Sequence, residues 1–117
     1  MTFCGASCVH EHKLRSDPCY ARDAVFARDK GVCAVCRTDT VAVQEELRAM
    51  PAKRRRAMAS KLGYPYHRVR TSLWDCDHIR PVALGGGEAG LSNLQTLCIR
   101  CHTRKTAVQT ATRNRAP

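Results

Sequence analysis

The sequence predicts a small α+β domain stabilised by zinc, on three observations. Cys33-x2-Cys36 and Cys98-x2-Cys101 have the spacing of zinc knuckles, and four thiolates around Zn²⁺ form a closed tetrahedral site with no position left for substrate. The stretch SLWDCDHI alternates Leu73, Asp75 and Asp77 against Trp74, Cys76 and His78, which is the period of a strand. The chain is 117 residues long with two Phe and one Trp, so its core is modest and a structural metal would help to hold one fold. A redox C-x-x-C, or two unrelated buried pairs, would be the plainer reading of the cysteines.

The elements follow in order. SDPCYARDAVFARDKG reads as a helix with Asp17 as N-cap, Pro18 in the first turn and Gly31 as the stop. VCAVC is a short knuckle. Residues 41–62 form two helical pieces, the second starting at Pro51 and ending at Gly63, and Tyr64-Pro65-Tyr66 is a turn or linker. After the strand, GGGEAG makes a long loop. A second strand, roughly Leu94 to Leu97, leads through Cys98 into a helix reaching about residue 110, with RNRAP frayed. The expected organisation is an N-terminal Cys-containing segment plus helix (1–30), a main domain (31–110) with a helical insertion at about 40–66, and a basic tail (111–117).

Charge narrows the partner. Lys and Arg total 20 against 10 acids, a net charge of +10; four thiolates around Zn²⁺ would leave it at +8. From Leu47 to Trp74 there are eight Lys and Arg and no acid, and after Glu88 five more and again no acid. So basic a domain meets a polyanion, with nucleic acid foremost. No apolar run is long enough to span a bilayer and no amphipathic anchor is present, so no membrane is expected. Residues 1–12 lack the apolar stretch of a secretion signal. Eight Cys in a chain that is not secreted point to a reducing compartment: cytoplasmic, and nucleoid-associated if bacterial. Nothing in the pattern asks for a small-molecule cofactor.

The last helix places Cys98, Cys101, His102 and Lys105 at i, i+3, i+4 and i+7, along one broad face. Cys101 and His102 still differ by about 100° around the axis. With Cys101 on a zinc already holding four sulfurs, His102 is free for another task, although a lone half-exposed helix histidine would be unremarkable. WDCDHIRP supplies a partner. Asp77 with His102 would hold a hard divalent cation in an open site, and His78, on the neighbouring strand position, would stay off the metal as a general base.

DHIRP, then a Gly-rich loop, then SNLQTLCIRCHTRKT resembles the HNH endonuclease family. The likeness is strongest over 72–106 and extends loosely back to KGVCAVC. It covers free-standing bacterial HNH proteins and the HNH module of helicase-like DNA remodellers. The naming positions fall on His78, Asn93 and His102, and Cys33, Cys36, Cys98 and Cys101 match the structural zinc of the four-cysteine subgroup. The resemblance implies a ββα-metal fold, treble-clef-like, and hydrolysis of DNA phosphodiesters to 5′-phosphate and 3′-hydroxyl ends. By the same resemblance, His78 takes the proton from the attacking water and Asp77 and His102 bind Mg²⁺, Mn²⁺ or a similar ion. Asn93 braces the loop carrying His78; outside this motif it would pass for an ordinary turn residue. A histidine, with an ordinary pKa near neutrality, suits the base.

For nucleic acid, Arg80, Arg104 and Lys105 lie near the active positions and would reach phosphates. Arg54 and Arg55, in the Lys53–Arg56 run, would add contacts unless that run is only a solvated helix face. No base-reading array is evident, so weak sequence preference and steep salt dependence are expected. Cys4 and Cys8, in FCGASCVHEH, suggest a second zinc site, with His10, His12 and Cys19 as further candidate ligands; free thiols or a disulfide are the alternatives. By the same resemblance, some HNH proteins of this type carry an upstream finger in which a C-x2-C pair precedes a similar F-C-x3-C segment, so the chain would hold the back half of such a finger, and an additional protein partner is the other candidate for a missing piece. Cys76 reads as a small buried residue. The rival to a nuclease is a catalytically inactive, zinc-stabilised DNA-binding or adaptor module. RNA binding is disfavoured by scarce aromatics.

Overall fold

The computed structural model describes residues 6–80 and 90–115. In chain order come α1 (Ala6–Ser16), α2 (Pro18–Asp29), α3 (Thr40–Arg48), α4 (Ala52–Leu62), a 3-10 helix (Tyr66–Arg70), β1 (Trp74–His78), a 3-10 turn (Gly90–Asn93), β2 (Leu94–Cys98) and α5 (Ile99–Arg115). The strands form one antiparallel hairpin in which Asp75 faces Leu97, Asp77 faces Gln95 and His78 faces Leu94.

Local chemistry explains the boundaries. The Asp17 side chain accepts from the N–H groups of Cys19 (3.0 Å) and Tyr20 (3.2 Å), and Pro18 occupies the first turn of α2. At the other end Lys30 itself adopts the left-handed cap (φ 56°), and Gly31 follows at φ +79°. Asp39 caps α3 through Ala42 N–H at 3.1 Å, and Gly63 closes α4 at φ +87°.

Two buried clusters lie on opposite sides of the hairpin. One gathers Leu47, Ala59, Tyr64, Val69, Leu73, Leu97 and Ile99 around Cys33, Cys98 and Cys101. The other joins Leu14, Ala21 and Val25 to Trp74 and Leu94. Here α2 covers the hairpin: the Arg22 guanidinium lies 3.8 Å over the Trp74 ring and Phe26 stacks on it at 6.0 Å. Arg28 donates to the carbonyls of Leu91 (3.0 Å) and Leu94 (2.7 Å). The lone Trp therefore joins helix to sheet despite the scarcity of aromatics.

The structure departs from the sequence-based expectation in three places. Residues 6–16 are helical, free of Gly and Pro, with Leu14 buried in the second cluster. The linker after Tyr64-Pro65 is a 3-10 helix. The last helix runs to Arg115, past residue 110 and into the expected tail, because no Gly or Pro interrupts it. Residues 81–89, which carry most of the Gly-rich loop, lie outside the described residues, as do residues 1–5, 116 and 117.

Candidate active site and metal centre

The knuckle Cys33–Thr38 is closed by Cys33 N–H to Thr38 O (2.9 Å) and Arg37 N–H to Cys33 O (3.0 Å), with Arg37 left-handed at φ 65°. Ala34 N–H donates to Thr96 O at 2.9 Å, which seats the knuckle beside the end of β2. The sulfur atoms of Cys33, Cys36, Cys98 and Cys101 thereby lie within 4.8 Å of one another. A regular tetrahedron with Zn–S bonds of about 2.3 Å separates its sulfurs by about 3.8 Å; Cys36 Sγ and Cys98 Sγ are 3.7 Å apart. Burial alone would raise the Cys36 thiol, but hydrogen bonding with Thr38 and the adjacent sulfurs brings it down to about 6. Cys101 is pushed up to about 12 by burial and by the sulfurs of Cys98, Cys33 and Cys36. So crowded a set of thiols ionises together only around a soft cation, and this donor set fits zinc. Arg100 supports it from outside, donating to Thr38 Oγ1 (3.2 Å), Leu62 O (3.2 Å) and Cys36 Sγ (3.8 Å) while stacking over the Tyr64 ring.

Zinc and active-site candidates meet through α5. Cys98 ends β2 and Cys101 lies one turn into the helix, so His102 emerges on the side that covers Asp75 and Asp77 of β1. His102 Nδ1 is 2.9 Å from Asp75 Oδ2, and its Nε2 is 3.6 Å from Asp77 Oδ1. Arg68 holds the other Asp75 oxygen at 2.8 Å. Burial alone would raise the Asp75 carboxyl, but the hydrogen bonds of Arg68 and His102 outweigh it and lower its pKa. The His102 tautomer that donates from Nδ1 to Asp75 leaves a lone pair on Nε2, the nitrogen nearer Asp77. A carboxylate oxygen and an imidazole nitrogen 3.6 Å apart suit a cation that bonds each at about 2.1 Å.

Sequence reasoning assigned no role to Asp75 or Arg68. The signal was present for Asp75: the period of two in DCD puts both carboxylates on one face. Arg68 is distant enough in the chain that only the fold brings it in.

The remaining candidates are distributed around this cluster. Asn93, 7% exposed, closes the hairpin end. Its Oδ1 accepts from Arg80 N–H (2.8 Å), its Nδ2 donates to Arg80 O (3.0 Å), and its carbonyl accepts from Ile79 N–H (2.7 Å). The His78 side chain is exposed at the end of β1, on the strand face opposite Asp77; only its main-chain carbonyl is tied to the cluster, by Lys105. Lys105 Nζ also pairs with Asp77 Oδ2, to which Gln95 Nε2 donates at 3.3 Å, so this lysine sits within the cluster. Arg80, Arg104 and Arg54 are exposed. Arg55 is engaged with the end of α3, donating to the carbonyls of Leu47 (3.1 Å), Arg48 (3.3 Å) and Met50 (2.9 Å). Cys76 is partly buried, and burial raises its thiol. Cys4 and the side chain of Cys8 lie outside the described residues.

Comparison with known proteins bears on the family and the fold. The family model "HNH endonuclease" matches residues 64–107. The chain is 37% identical over 123 residues to the mouse DNA annealing helicase and endonuclease ZRANB3, and 35% identical over 125 residues to the human protein. Each match covers 96% of this chain, which spans only 12% and 11% of the length of those relatives. The crystal structure of the human ZRANB3 HNH domain superposes with a TM-score of 0.68 at 34% identity, covering 85% of this chain and 94% of that one. No helix among the described residues is long and apolar enough to cross a membrane. The chain belongs to the HNH endonuclease family.

Proposed function

We propose that this domain hydrolyses DNA phosphodiester bonds, with one divalent cation held by Asp77 and His102 and with His78 as the general base. The observation that carries this is the convergence of Asp77 Oδ1 and His102 Nε2 to 3.6 Å, with the imidazole fixed through its other nitrogen by Asp75. When bound, Mg²⁺ or Mn²⁺ supplies Lewis-acid stabilisation of charge on the phosphorane and the leaving oxygen. The protein does the rest. Asp75 and Arg68 hold the His102 ring; Gln95 and Lys105 hold the Asp77 carboxylate. Asn93 fixes the main chain at Ile79–Arg80, and with it the strand end from which His78 extends towards solvent and an attacking water. Arg80 and Arg104, both exposed, contact neighbouring phosphates. In-line attack leaves 5′-phosphate and 3′-hydroxyl ends.

The test is a nicking assay on supercoiled DNA with Mg²⁺ or Mn²⁺. His78→Ala should abolish cleavage while zinc content and melting temperature stay at wild-type values, since that side chain is exposed and supports no core. Full activity in this variant would remove His78 as the base.

A further inference from the structure

The insertion between the two cysteine pairs contains a cleft that the active-site reading does not use. It has a volume of about 310 Å³ and is lined by Arg48, Arg55, Tyr66, Val69 and Arg70, with no acidic side chain. Its construction is specific. Arg55 is anchored by three carbonyls at the end of α3, through Nε and Nη2. That fixes the plane of its guanidinium and offers the remaining Nη1 edge. Arg48, from the last turn of α3, and Arg70, from the end of the 3-10 helix, are exposed, and neither forms an ion pair with any described residue. Tyr66 and the buried Val69 line the wall, and the Arg56 guanidinium lies 4.6 Å over the Tyr66 ring. The 3-10 helix is itself held to α3 by Gln44 Nε2, which donates to Val69 O (2.9 Å) and Thr71 O (3.1 Å), so the cleft is made by elements packed together.

A fixed arginine beside two exposed ones without ion pairs suits a polyanion. Guanidinium groups favour the fork geometry of phosphate oxygens over a point charge. The stretch from Leu47 to Trp74 carries eight Lys and Arg without one acid, so nothing in that segment neutralises the field. We infer that this cleft is an accessory phosphate site that takes the DNA backbone away from the scissile bond, through Arg48, Arg55 and Arg70. The choice of DNA as the phosphate source rests on the nuclease reading; the phosphate chemistry does not. Of the Lys53–Arg56 run, only Arg55 enters the cleft, and it does so as its fixed floor.

The experiment measures binding of duplex DNA, without divalent metal, against salt concentration. Arg48→Ala/Arg70→Ala removes the two exposed cleft arginines and leaves the structural Arg55 in place. Lys13→Ala/Lys30→Ala removes the same charge from α1 and the end of α2. The slope of log K against log salt should become shallower by about 1.8 for the cleft variant, from two lost phosphate contacts at about 0.9 each, and stay unchanged for the control. An unchanged slope in the cleft variant, or an equal loss in both, overturns the site. Added inorganic phosphate should shift the amide resonance of Val69 in the wild type and not in the cleft variant; equal shifts in both overturn it too. Binding is read apart from cleavage. A wild type that binds through the cleft but never nicks DNA would refute the nuclease reading alone, and one that nicks with a cleft-independent slope would refute the cleft alone.

Discussion

Replacing Asp75 with alanine should weaken divalent-cation binding at Asp77 and His102 without touching either ligand. Asp75 accepts two charge-assisted hydrogen bonds, 2.8 Å from Arg68 and 2.9 Å from His102, with its side chain 25% exposed. Arg68 is not orphaned by the change, because it still donates to Ser72 O at 3.0 Å and Trp74 O at 3.4 Å. His102 loses its Nδ1 partner among the described residues, so the ring is free to rotate and to exchange tautomers, one of which turns a protonated nitrogen towards the cation. Loss of such an outer partner typically costs 10–100-fold in metal affinity, about 1.4–2.7 kcal/mol. Asp75→Asn, which keeps one acceptor but neither the charge nor both bonds, should fall between wild type and Asp75→Ala. The assay is Mn²⁺ titration followed by electron paramagnetic resonance on zinc-loaded protein, with nicking against Mn²⁺ concentration beside it. Wild-type Mn²⁺ affinity in Asp75→Ala, at one zinc per chain, would refute the role assigned to this carboxylate.

Three further outcomes are expected. Asn93→Ala leaves the N–H and C=O of Arg80 without their partner, at about 1–3 kcal/mol, so both melting temperature and nicking should fall; Asn93→Asp should be no better, since a carboxylate then faces Arg80 O. Retained nicking in either variant would separate the clamp from catalysis. Stripping the four-cysteine site with a strong chelator should abolish cooperative melting and nicking together, because three of its cysteines belong to the larger buried cluster. An unchanged melting curve would make the zinc dispensable. In acid, Asp29 is held below its ordinary value chiefly by Arg28, and Asp75 by Arg68 and His102 against the effect of burial. Both stabilise the fold fully above the unfolded carboxylate value of about 3.9 and lose that contribution as pH falls through their lowered native values. The melting temperature of Asp29→Asn should therefore converge on that of wild type below about pH 4. A gap that widens there would reverse the sign.

The parts of this fold that declare themselves in sequence are those governed by local rules. Asp17, Pro18 and Gly63 mark helix ends because capping acts over three or four residues. The DCD alternation marks β1, and the paired cysteines mark the zinc-knuckle spacing. What stayed hidden depends on contacts distant in the chain. Arg68 reaches Asp75 only because the 3-10 helix folds back along the hairpin. Lys105 reads as a phosphate contact from its place on a helix, and only the helix-to-strand approach shows its pairing with Asp77. Arg55 belongs to a run of four basic residues, and nothing in that run says which one turns inward to the end of α3. The helix α1 is obscured by Cys8, His10 and His12, which suggest ligands before they suggest a helix.

The bonds between Asn93 and the Ile79–Arg80 main chain have a consequence for how this family can be varied. They tie the end of β1 to the turn that opens β2, so the strand end at His78 is held by contacts among Ile79, Arg80 and Asn93. Because the entropy of closing a loop rises only slowly with its length, a change in chain length between those two tied points should cost little. A graft of different length between Arg80 and Gly90 should leave the hairpin register as it is.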